Sequence, residues 1–226
     1  MSGGAGFAGA GAGQTDWSSR AEAYRNAPEQ REGEDLDLIV LWAEGAESAL
    51  DVATGGGHVA RRLREAGIEV VSSDPAPGMK PDVICRAEDL PFADNAFDVV
   101  VTRIAPHHFE DLAAAIAEMA RVSNDLVLVE DTLYVSEQVE EAERLRDPTH
   151  VRSYSEQDWR SFLGAAGLDV EQVESFEKRH PLEEWLNRSA TPEGDKPRVK
   201  ELLAAQIVGN EYVDTKLVLK ARKAAA

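Results

Sequence analysis

The sequence has little of several features that each indicate a particular class of protein. It contains a single cysteine, Cys85, among 226 residues, which excludes an internal disulfide and any metal site built from several cysteines. Cys85 ends an apolar run, so we expect it to be a small buried residue. No apolar run approaches the roughly 20 residues of a membrane-spanning helix, and the first residues lack a basic segment followed by an apolar one. We therefore expect a cytoplasmic protein.

Positive charge is also scarce. The chain has 24 Lys and Arg residues against 42 Asp and Glu residues, which gives a formal net charge of −18. Affinity for nucleic-acid backbones and for acidic membranes comes largely from Lys and Arg. The longest basic cluster, residues 61–64, is predicted to be the solvated face of an amphipathic helix. We therefore expect neither nucleic acid nor a membrane as a partner.

The start of the chain differs in composition from the rest. Residues 1–14 are almost all Gly and Ala, with a lone Phe7. Such a segment buries too little apolar surface to offset its ordering entropy, so we predict a disordered tail. Residues 15–226 are enough for one domain with a full hydrophobic core.

Helical and strand patterns alternate along this domain. Two N-terminal helices are predicted at 17–27 and 35–43. Seven strands are predicted from short apolar runs at 48–53, 68–72, 82–85, 97–101, 126–129, 170–177 and 212–220. Amphipathic helices separate several of these runs, and an acidic helical insert is predicted near 181–206. This pattern predicts an α/β fold: a doubly wound, Rossmann-like and mostly parallel seven-stranded sheet with an antiparallel C-terminal strand.

The strongest local signal is a glycine-rich turn after the first strand. Residues 49–60 read ALDVATGGGHVA, a strand that ends in a glycine turn and opens a helix. Such a turn presents backbone N–H groups and lets a ligand approach the main chain closely. Asp74 ends the next strand, 17 residues after Gly57. A carboxylate there can accept both ribose hydroxyls of an adenosine group.

The glycine turn alone does not identify the nucleotide. It also suits a dinucleotide enzyme, or a tight turn without a ligand. Asp51, at the end of the first strand, would repel a pyrophosphate. The ammonium and sulfonium groups of S-adenosylmethionine (SAM) instead favour a nearby carboxylate.

With these motifs the chain resembles the class I SAM-dependent methyltransferases, in particular the branch that includes ubiquinone and menaquinone biosynthesis enzymes. Residues 50–57 resemble the glycine motif of that family, residues 87–92 its adenine-contacting loop, and residues 103–109 a segment that lines its methyl-transfer cleft. The resemblance extends from Trp17 to the C-terminus. It implies SAM as the cofactor and the following contacts to it: Asp51, Ala53, Gly55, Gly57, Asp74, Ala87 and Glu88.

The sequence departs from that family in two places. Residues 75–82 are too few and too rich in proline for the full helix that the family normally has after the second strand. We expect a neighbouring subunit or a loop to cover the sheet there, and a homodimer is one of these alternatives. Cys85 and Arg86 stand where members often have Gly-Asp, so a second acidic contact near the adenine is not predicted.

The acceptor side is predicted from the segment after the fourth strand. His107 and His108 follow a carboxyl end, where ligands bind in open α/β sheets, and imidazole takes a proton readily near neutral pH. We predict that one of them, preferably His108, binds or deprotonates the acceptor. The alternative is that they only bond to the backbone. No third ligand has a suitable spacing, so no metal site is predicted.

Two further residues are predicted near the methionine end of SAM. Tyr24 is expected to fold over it from the N-terminal helix. Arg103 is expected to pair with its carboxylate, or else to form a salt bridge with Glu130 or Asp131.

The sequence therefore predicts an enzyme that transfers a methyl group from SAM to a small-molecule acceptor. One alternative is a SAM-binding regulator or partner subunit that does not methylate. The other is an NAD-dependent oxidoreductase, which Asp51 and the absence of a Tyr-x-x-x-Lys pair disfavour.

Overall fold

A central sheet of eight strands organises residues 17–224, which are the residues that the computed structural model describes. The predicted tail at 1–14 lies outside them. The strands are β1 (Ser48–Val52), β2 (Glu69–Asp74), β3 (Val83–Ile84), β4 (Phe97–Arg103), β5 (Ser123–Thr132), β6 (Leu168–Pro181), β7 (Ile207–Val208) and β8 (Glu211–Lys223).

Seven of these strands follow one another in the order β3-β2-β1-β4-β5-β8-β6. Strands β1 to β5 pair in parallel, and β8 lies antiparallel between β5 and β6. The order reverses at β1, so the carboxyl ends of β1 and β4 border a topological switch point, where open α/β sheets bind ligands. The predicted fold class is confirmed, and the added strand β7 is a two-residue pairing with β8.

Nine α-helices accompany the sheet in the described part of the chain. They are α1 (Trp17–Arg25), α2 (Pro28–Arg31), α3 (Glu34–Trp42), α4 (His58–Glu65), α5 (Leu112–Val122), α6 (Glu137–Arg146), α7 (Glu156–Ala165), α8 (Leu182–Arg188) and α9 (Lys196–Leu202). Within residues 17–224, no helix is long and apolar enough to cross a membrane.

The helices bury the two faces of the sheet in separate cores. Apolar side chains of α5 and α7 pack on one face, with Ile116, Met119 and Trp159 fully buried. Helices α3 and α4 pack on the other face through Leu36 and Leu63. The strands are apolar on both sides because both faces are covered, as a parallel sheet requires.

A smaller core lies over one end of the sheet. Helices α8 and α9, in the region of the predicted insert, pack against α6 and against Tyr212 of β8. Stacking of Trp185 on Tyr212, with ring centroids 4.0 Å apart, joins α8 to the sheet. Helix α8 also contributes Trp185 and Arg188 to the lining of a small cavity beyond the carboxyl ends of β4 and β5.

The region after β2 contains a short 3-10 turn, Pro77–Met79, in place of a full helix. Helix α1 packs on this turn, where Ala21 and Met79 are buried together. The packing is close: a Cβ atom on Gly78 would lie 2.4 Å from Cβ of Ser18. Helix α1 therefore packs on the segment that replaces the family's helix, which we did not predict. Cover of the sheet itself by a loop or a neighbouring subunit stays a prediction. The homodimer stays a prediction.

Candidate functional site

A cavity of about 670 Å³ opens at the carboxyl ends of β1, β2 and β4. Its volume lies within the range of roughly 300–1,000 Å³ that is usual for small-molecule sites. Nine of the predicted site residues line it: Tyr24, Asp51, Ala53, Gly55, Asp74, Ala87, Glu88, Arg103 and His108. We call it the cofactor cavity. Its lining does not include Gly57 or His107, although both lie in the described part of the chain.

The glycine turn owes its shape to three residues with positive φ. Ala53, Gly55 and Gly57 have φ angles of 55°, 52° and 77°. Only glycine adopts this region without steric cost, which explains why many members of the resembled family have glycine where this chain has Ala53. Gly57 is the N-cap residue of α4. Its position explains the glycine without a ligand contact, so the predicted cofactor contact of Gly57 stays a prediction.

Asp51 stabilises the glycine turn and the start of α4 through hydrogen bonds. Its Oδ2 accepts hydrogen bonds from Oγ1 of Thr54 at 2.5 Å and from N of Ala60 at 3.0 Å. Burial raises the pKa of Asp51 to about 6, even though these two hydrogen bonds favour the ionised form. A cation in the cofactor cavity would stabilise this carboxylate, which fits the predicted preference for SAM over a pyrophosphate.

Asp74 ends β2 at the other side of the turn. Its two oxygens each accept one backbone hydrogen bond, Oδ2 from Gly55 at 3.0 Å and Oδ1 from Ala76 at 2.9 Å. A carboxylate oxygen can accept two hydrogen bonds, so each oxygen keeps capacity for a ligand hydroxyl. Burial raises the pKa of Asp74. The geometry suits the predicted contact with a ribose.

Ala87 and Glu88 border the cofactor cavity after β3. Ala87 is buried, and Glu88 is half-buried. Oε1 of Glu88 accepts hydrogen bonds from N of Glu110 at 3.1 Å and from N of Asp111 at 3.4 Å. Glu88 therefore ties this loop to the segment before α5, and its predicted cofactor contact stays a prediction.

Helix α1 forms part of the cavity wall and contacts the turn. Tyr24 lines the cavity, and its carbonyl oxygen lies 3.0 Å from Nε2 of His58, at the start of α4. Nη1 of Arg20 forms an ion pair with Oδ2 of Asp147 at 3.0 Å. The ring of Trp17 lies edge-on to His108, with centroids 4.7 Å apart. Helix α1 thus joins the glycine turn to the segment that follows α6.

The guanidinium of Arg103 donates hydrogen bonds to three groups of the protein. Its Nε donates to Glu130 at 2.7 Å, its Nη2 to Asp35 at 2.5 Å, and its Nη1 to the carbonyl of Gln30 at 3.0 Å. The alternative salt bridge to Glu130 is therefore present, and pairing with a cofactor carboxylate stays a prediction. Burial raises the pKa of Glu130 to about 7, although the guanidinium of Arg103 opposes this shift.

The two predicted catalytic histidines have different surroundings. Nδ1 of His108 lies 3.0 Å from the carbonyl oxygen of Thr149, so one histidine does bond to the backbone, as in the alternative that we considered. Nδ1 of His107 lies 2.5 Å from Oδ1 of Asp131. Their rings are 4.1 Å apart. Burial and the neighbouring His107 lower the pKa of His108 well below its usual value, so the neutral form predominates near neutral pH.

A second cavity of about 50 Å³ adjoins the first, and we call it the polar chamber. It shares Tyr24, Gln30, Ile104 and His108 with the cofactor cavity. Its lining also includes four Lys or Arg residues, three further histidines and two acids: Arg146, Lys178, Arg188, Lys216, His107, His150, His180, Glu143 and Asp214. Among the described residues, no group of three or more His, Cys, Asp or Glu side chains could hold a metal ion.

Sequence reasoning missed several groups in this region. Asp131 was weighed only as a partner of Arg103, and Lys216 was not considered. The signal for Asp131 was available, because it lies near the carboxyl end of β5 beside the strand that His107 follows. Nothing in the sequence around Lys216 indicates a functional role, because it lies within a long strand. The antiparallel pairing of β8 with β5 places it opposite Thr132, at the chamber.

The comparisons with known proteins agree on the kind of domain. A family model described as a methyltransferase domain matches residues 50–129. An uncharacterized methyltransferase, YcgJ of Bacillus subtilis, is 32% identical over 204 residues, which cover 79% of this chain and 80% of that protein. A demethylmenaquinone methyltransferase of Renibacterium salmoninarum is 37% identical over 98 residues, 38% of this chain and 41% of that protein.

A solved structure of similar fold extends this agreement to most of the chain. The crystal structure of a putative methyltransferase from Bacillus halodurans is 28% identical and has a TM-score of 0.77. The match covers 85% of this chain and 100% of that one. The match in sequence and the match in fold therefore both extend over most of the chain. This chain belongs to the class I SAM-dependent methyltransferases.

Proposed function

We propose that this chain transfers a methyl group from SAM to a small molecule bound beside His108. The observation that carries the proposal is that the glycine turn, Asp74 and His108 line the same cavity. A volume of about 670 Å³ suits a nucleoside cofactor and a small acceptor together. The net charge of −18 argues against a nucleic-acid acceptor.

The residues of the cofactor cavity fit SAM. A Cβ atom on Gly55 would have only one heavy atom within 4 Å, so open space faces this residue in the cavity wall. Asp74 would hold the ribose hydroxyls, and Asp51 would face the positive end of the cofactor. The relative named above acts, by its name, on demethylmenaquinone, which supports a small-molecule acceptor here.

SAM supplies an activated methyl group on a sulfonium, so the protein mainly has to orient the acceptor and exclude water. His108 is placed to take a proton from the acceptor. Oγ1 of Thr149 donates to Asp147 at 2.7 Å, and the carbonyl of Thr149 can only accept. Nδ1 of His108 must therefore carry the hydrogen, and Nε2 keeps its lone pair for the acceptor proton.

Titration calorimetry with SAM, with S-adenosylhomocysteine (SAH) and with NAD tests the cofactor. We expect SAM and SAH to bind and NAD to show no binding. NAD binding without SAM binding would favour the oxidoreductase alternative.

Turnover against a panel of phenols, amines and carboxylic acids then tests the transfer, with formation of SAH as the readout. Strong SAM binding without turnover of any acceptor, alongside an active control methyltransferase, would favour a SAM-binding partner subunit.

A further inference from the structure

We propose that the polar chamber binds a carboxylate of the acceptor and that Lys216 is the residue that holds it. This inference rests on the proposed function, because it places the rest of the acceptor in the cofactor cavity. It assigns the chemical class of the substrate: a small molecule that carries a carboxylate besides the atom that is methylated.

The position of the chamber supports this assignment. Four residues, including Tyr24 and His108, line both cavities, so the chamber is a side pocket of the space in which the acceptor would lie. It is bounded by the ends of β5 and β8 and by helix α8. One acceptor molecule can therefore place its carboxylate in the chamber and the atom that is methylated beside His108.

The charge of the lining is the reverse of the charge of the whole protein. Four Lys or Arg residues and two acids line the chamber, whereas the chain as a whole has 24 Lys and Arg and 42 Asp and Glu. Both acids are already paired. Glu143 contacts Arg146 at 2.8 Å, and Asp214 contacts Lys216 at 2.8 Å. Lys178 is paired too, with Asp35 outside the lining, at 2.6 Å. The lining nevertheless has more Lys and Arg side chains, which only donate hydrogen bonds, than carboxylates, so its polar groups suit an anion better than a cation.

Lys216 supplies the specific donor. Its side chain is only 4% exposed, and its Nζ donates to Oγ1 of Thr132 at 2.6 Å and to Asp214 at 2.8 Å. An ammonium group has three N–H donors, and the third has no acceptor among the described residues. A buried charge with an unused donor is costly unless a ligand or water completes its hydrogen bonds.

The chamber's volume limits what can enter. A cavity of about 50 Å³ has room for roughly three or four water-sized groups. A carboxylate with its adjoining carbon fits this space, whereas an aromatic ring or a nucleoside does not. The rest of the acceptor must therefore extend into the cofactor cavity.

The test compares carboxylates with amides of the same shape. The full-length protein is saturated with SAH and titrated with acetate, acetamide, benzoate and benzamide at constant ionic strength. We expect each carboxylate to bind at least about tenfold more tightly than its amide, as one charge-assisted hydrogen bond allows. Equal affinities within a pair, or no binding of either carboxylate, would overturn the proposal.

Variants assign the effect to Lys216. Lys216→Met should weaken carboxylate binding about tenfold or more, and Lys216→Arg should retain most of it. Lys220→Met is the matched control, because Lys220 lies on the same strand, contacts Glu171 at 3.8 Å and is not on the chamber lining. Lys216→Met combined with Asp214→Asn removes both charges of the pair and keeps the comparison valid if the single variant is unstable.

Two further measurements separate the outcomes. SAH affinity, measured on every variant, shows whether the cofactor site is intact. If the wild-type protein itself does not bind SAH, the result contradicts the proposed function and not the assignment of the chamber. Inorganic phosphate is titrated in parallel. Tighter binding of phosphate than of both carboxylates would overturn the carboxylate assignment, as would a Lys216→Met variant that binds SAH and carboxylates normally.

Discussion

Nδ1 of His107 and Oδ1 of Asp131 are 2.5 Å apart, and both side chains are buried. A carboxylate can only accept, so the hydrogen of this contact lies on Nδ1 of His107. The contact links the turn after β4 to the end of β5. It therefore fixes the orientation of the ring that lies beside His108, with an angle of 49° between the two rings.

We expect Asp131→Asn to lower turnover on the order of 10- to 100-fold, because the amide no longer fixes the tautomer or the angle of His107. SAM affinity should stay within about twofold, since Asp131 does not line the cofactor cavity. A double-mutant cycle with His107→Ala checks the pairing. If the two residues act as a unit, the double variant loses no more than the larger single loss. Additive losses would contradict a joint role.

His108→Ala tests the proton acceptor. We expect turnover to fall roughly 10²- to 10⁴-fold, the range of positioned general bases, while SAM affinity hardly changes. The alternative is that the imidazole only binds the carbonyl of Thr149. In that case the melting temperature falls, and turnover decreases only with the folded fraction. Melting temperature, SAM affinity and turnover should be measured on one preparation.

Asp74→Ala should weaken SAM binding about 100-fold or more, because two charge-assisted hydrogen bonds of roughly 1.5–3 kcal/mol each are lost. Asp74→Asn keeps the shape of the side chain and should lose less. Asp82→Ala is the control, because Asp82 also follows β2 but is exposed and bonds to Ser72. Calorimetry that gives the same SAM affinity for Asp74→Ala and for the wild type would refute the ribose contact.

Gly55→Val should abolish SAM binding and leave a folded protein. The valine side chain would extend into the cofactor cavity, and it would also be strained, because φ of Gly55 is +52°. Gly67→Val separates these effects. Gly67 has φ of +89°, and a Cβ atom there would have no heavy atom within 4 Å, but this glycine does not line the cavity. Equal SAM affinity in the two variants would mean that the turn does not contact the cofactor.

Asp51→Asn should make stability less dependent on pH. The pKa of Asp51 is raised to about 6 from an ordinary 3.8, so the folded state binds this proton more tightly than the unfolded state. Its contribution to stability therefore falls as pH rises from about 4 to about 6. The free energy of unfolding of the variant minus that of the wild type should therefore be larger at pH 8 than at pH 3, by on the order of 3 kcal/mol.

Urea unfolding of both proteins at these two pH values measures this difference. The variant should also bind SAM more weakly, since it lacks the carboxylate that faces the positive end of the cofactor. A constant stability difference between the two proteins across the range would show that Asp51 titrates normally.

The fold class and the glycine turn could be predicted from local patterns, whereas the order of the strands was not predicted. The apolar runs of β1, β4 and β5 are separated by helices with clear periodicity, and the glycine turn is defined by neighbouring residues. Such signals lie within a few residues of each other and can be read from one sequence. The packing of α1 on the segment after β2 could not be predicted in this way, because it depends on a contact between Ser18 and Gly78, 60 positions away.

The acceptor side was harder to predict for the same reason. His107 and Lys216 both line the polar chamber, yet they come from a turn after β4 and from the last strand. Glu130 was one of the partners considered for Arg103, but Asp35 was not, because it approaches Arg103 only in the folded chain, from 68 positions away. Which buried charges form ion pairs depends on their distances in the folded chain, and the pattern of apolar residues in the sequence does not give these distances.

Helix α1 contacts the cofactor region through Tyr24, whose carbonyl lies beside His58 at the glycine turn. It contacts the acceptor region through Arg20, which pairs with Asp147 at the end of α6. A ligand that shifts this helix at one site therefore changes the binding free energy at the other. Such coupling is reciprocal: if SAM raises acceptor affinity by some factor, the acceptor raises SAM affinity by the same factor. The exchange of SAH for SAM would then depend on whether the methylated product has left.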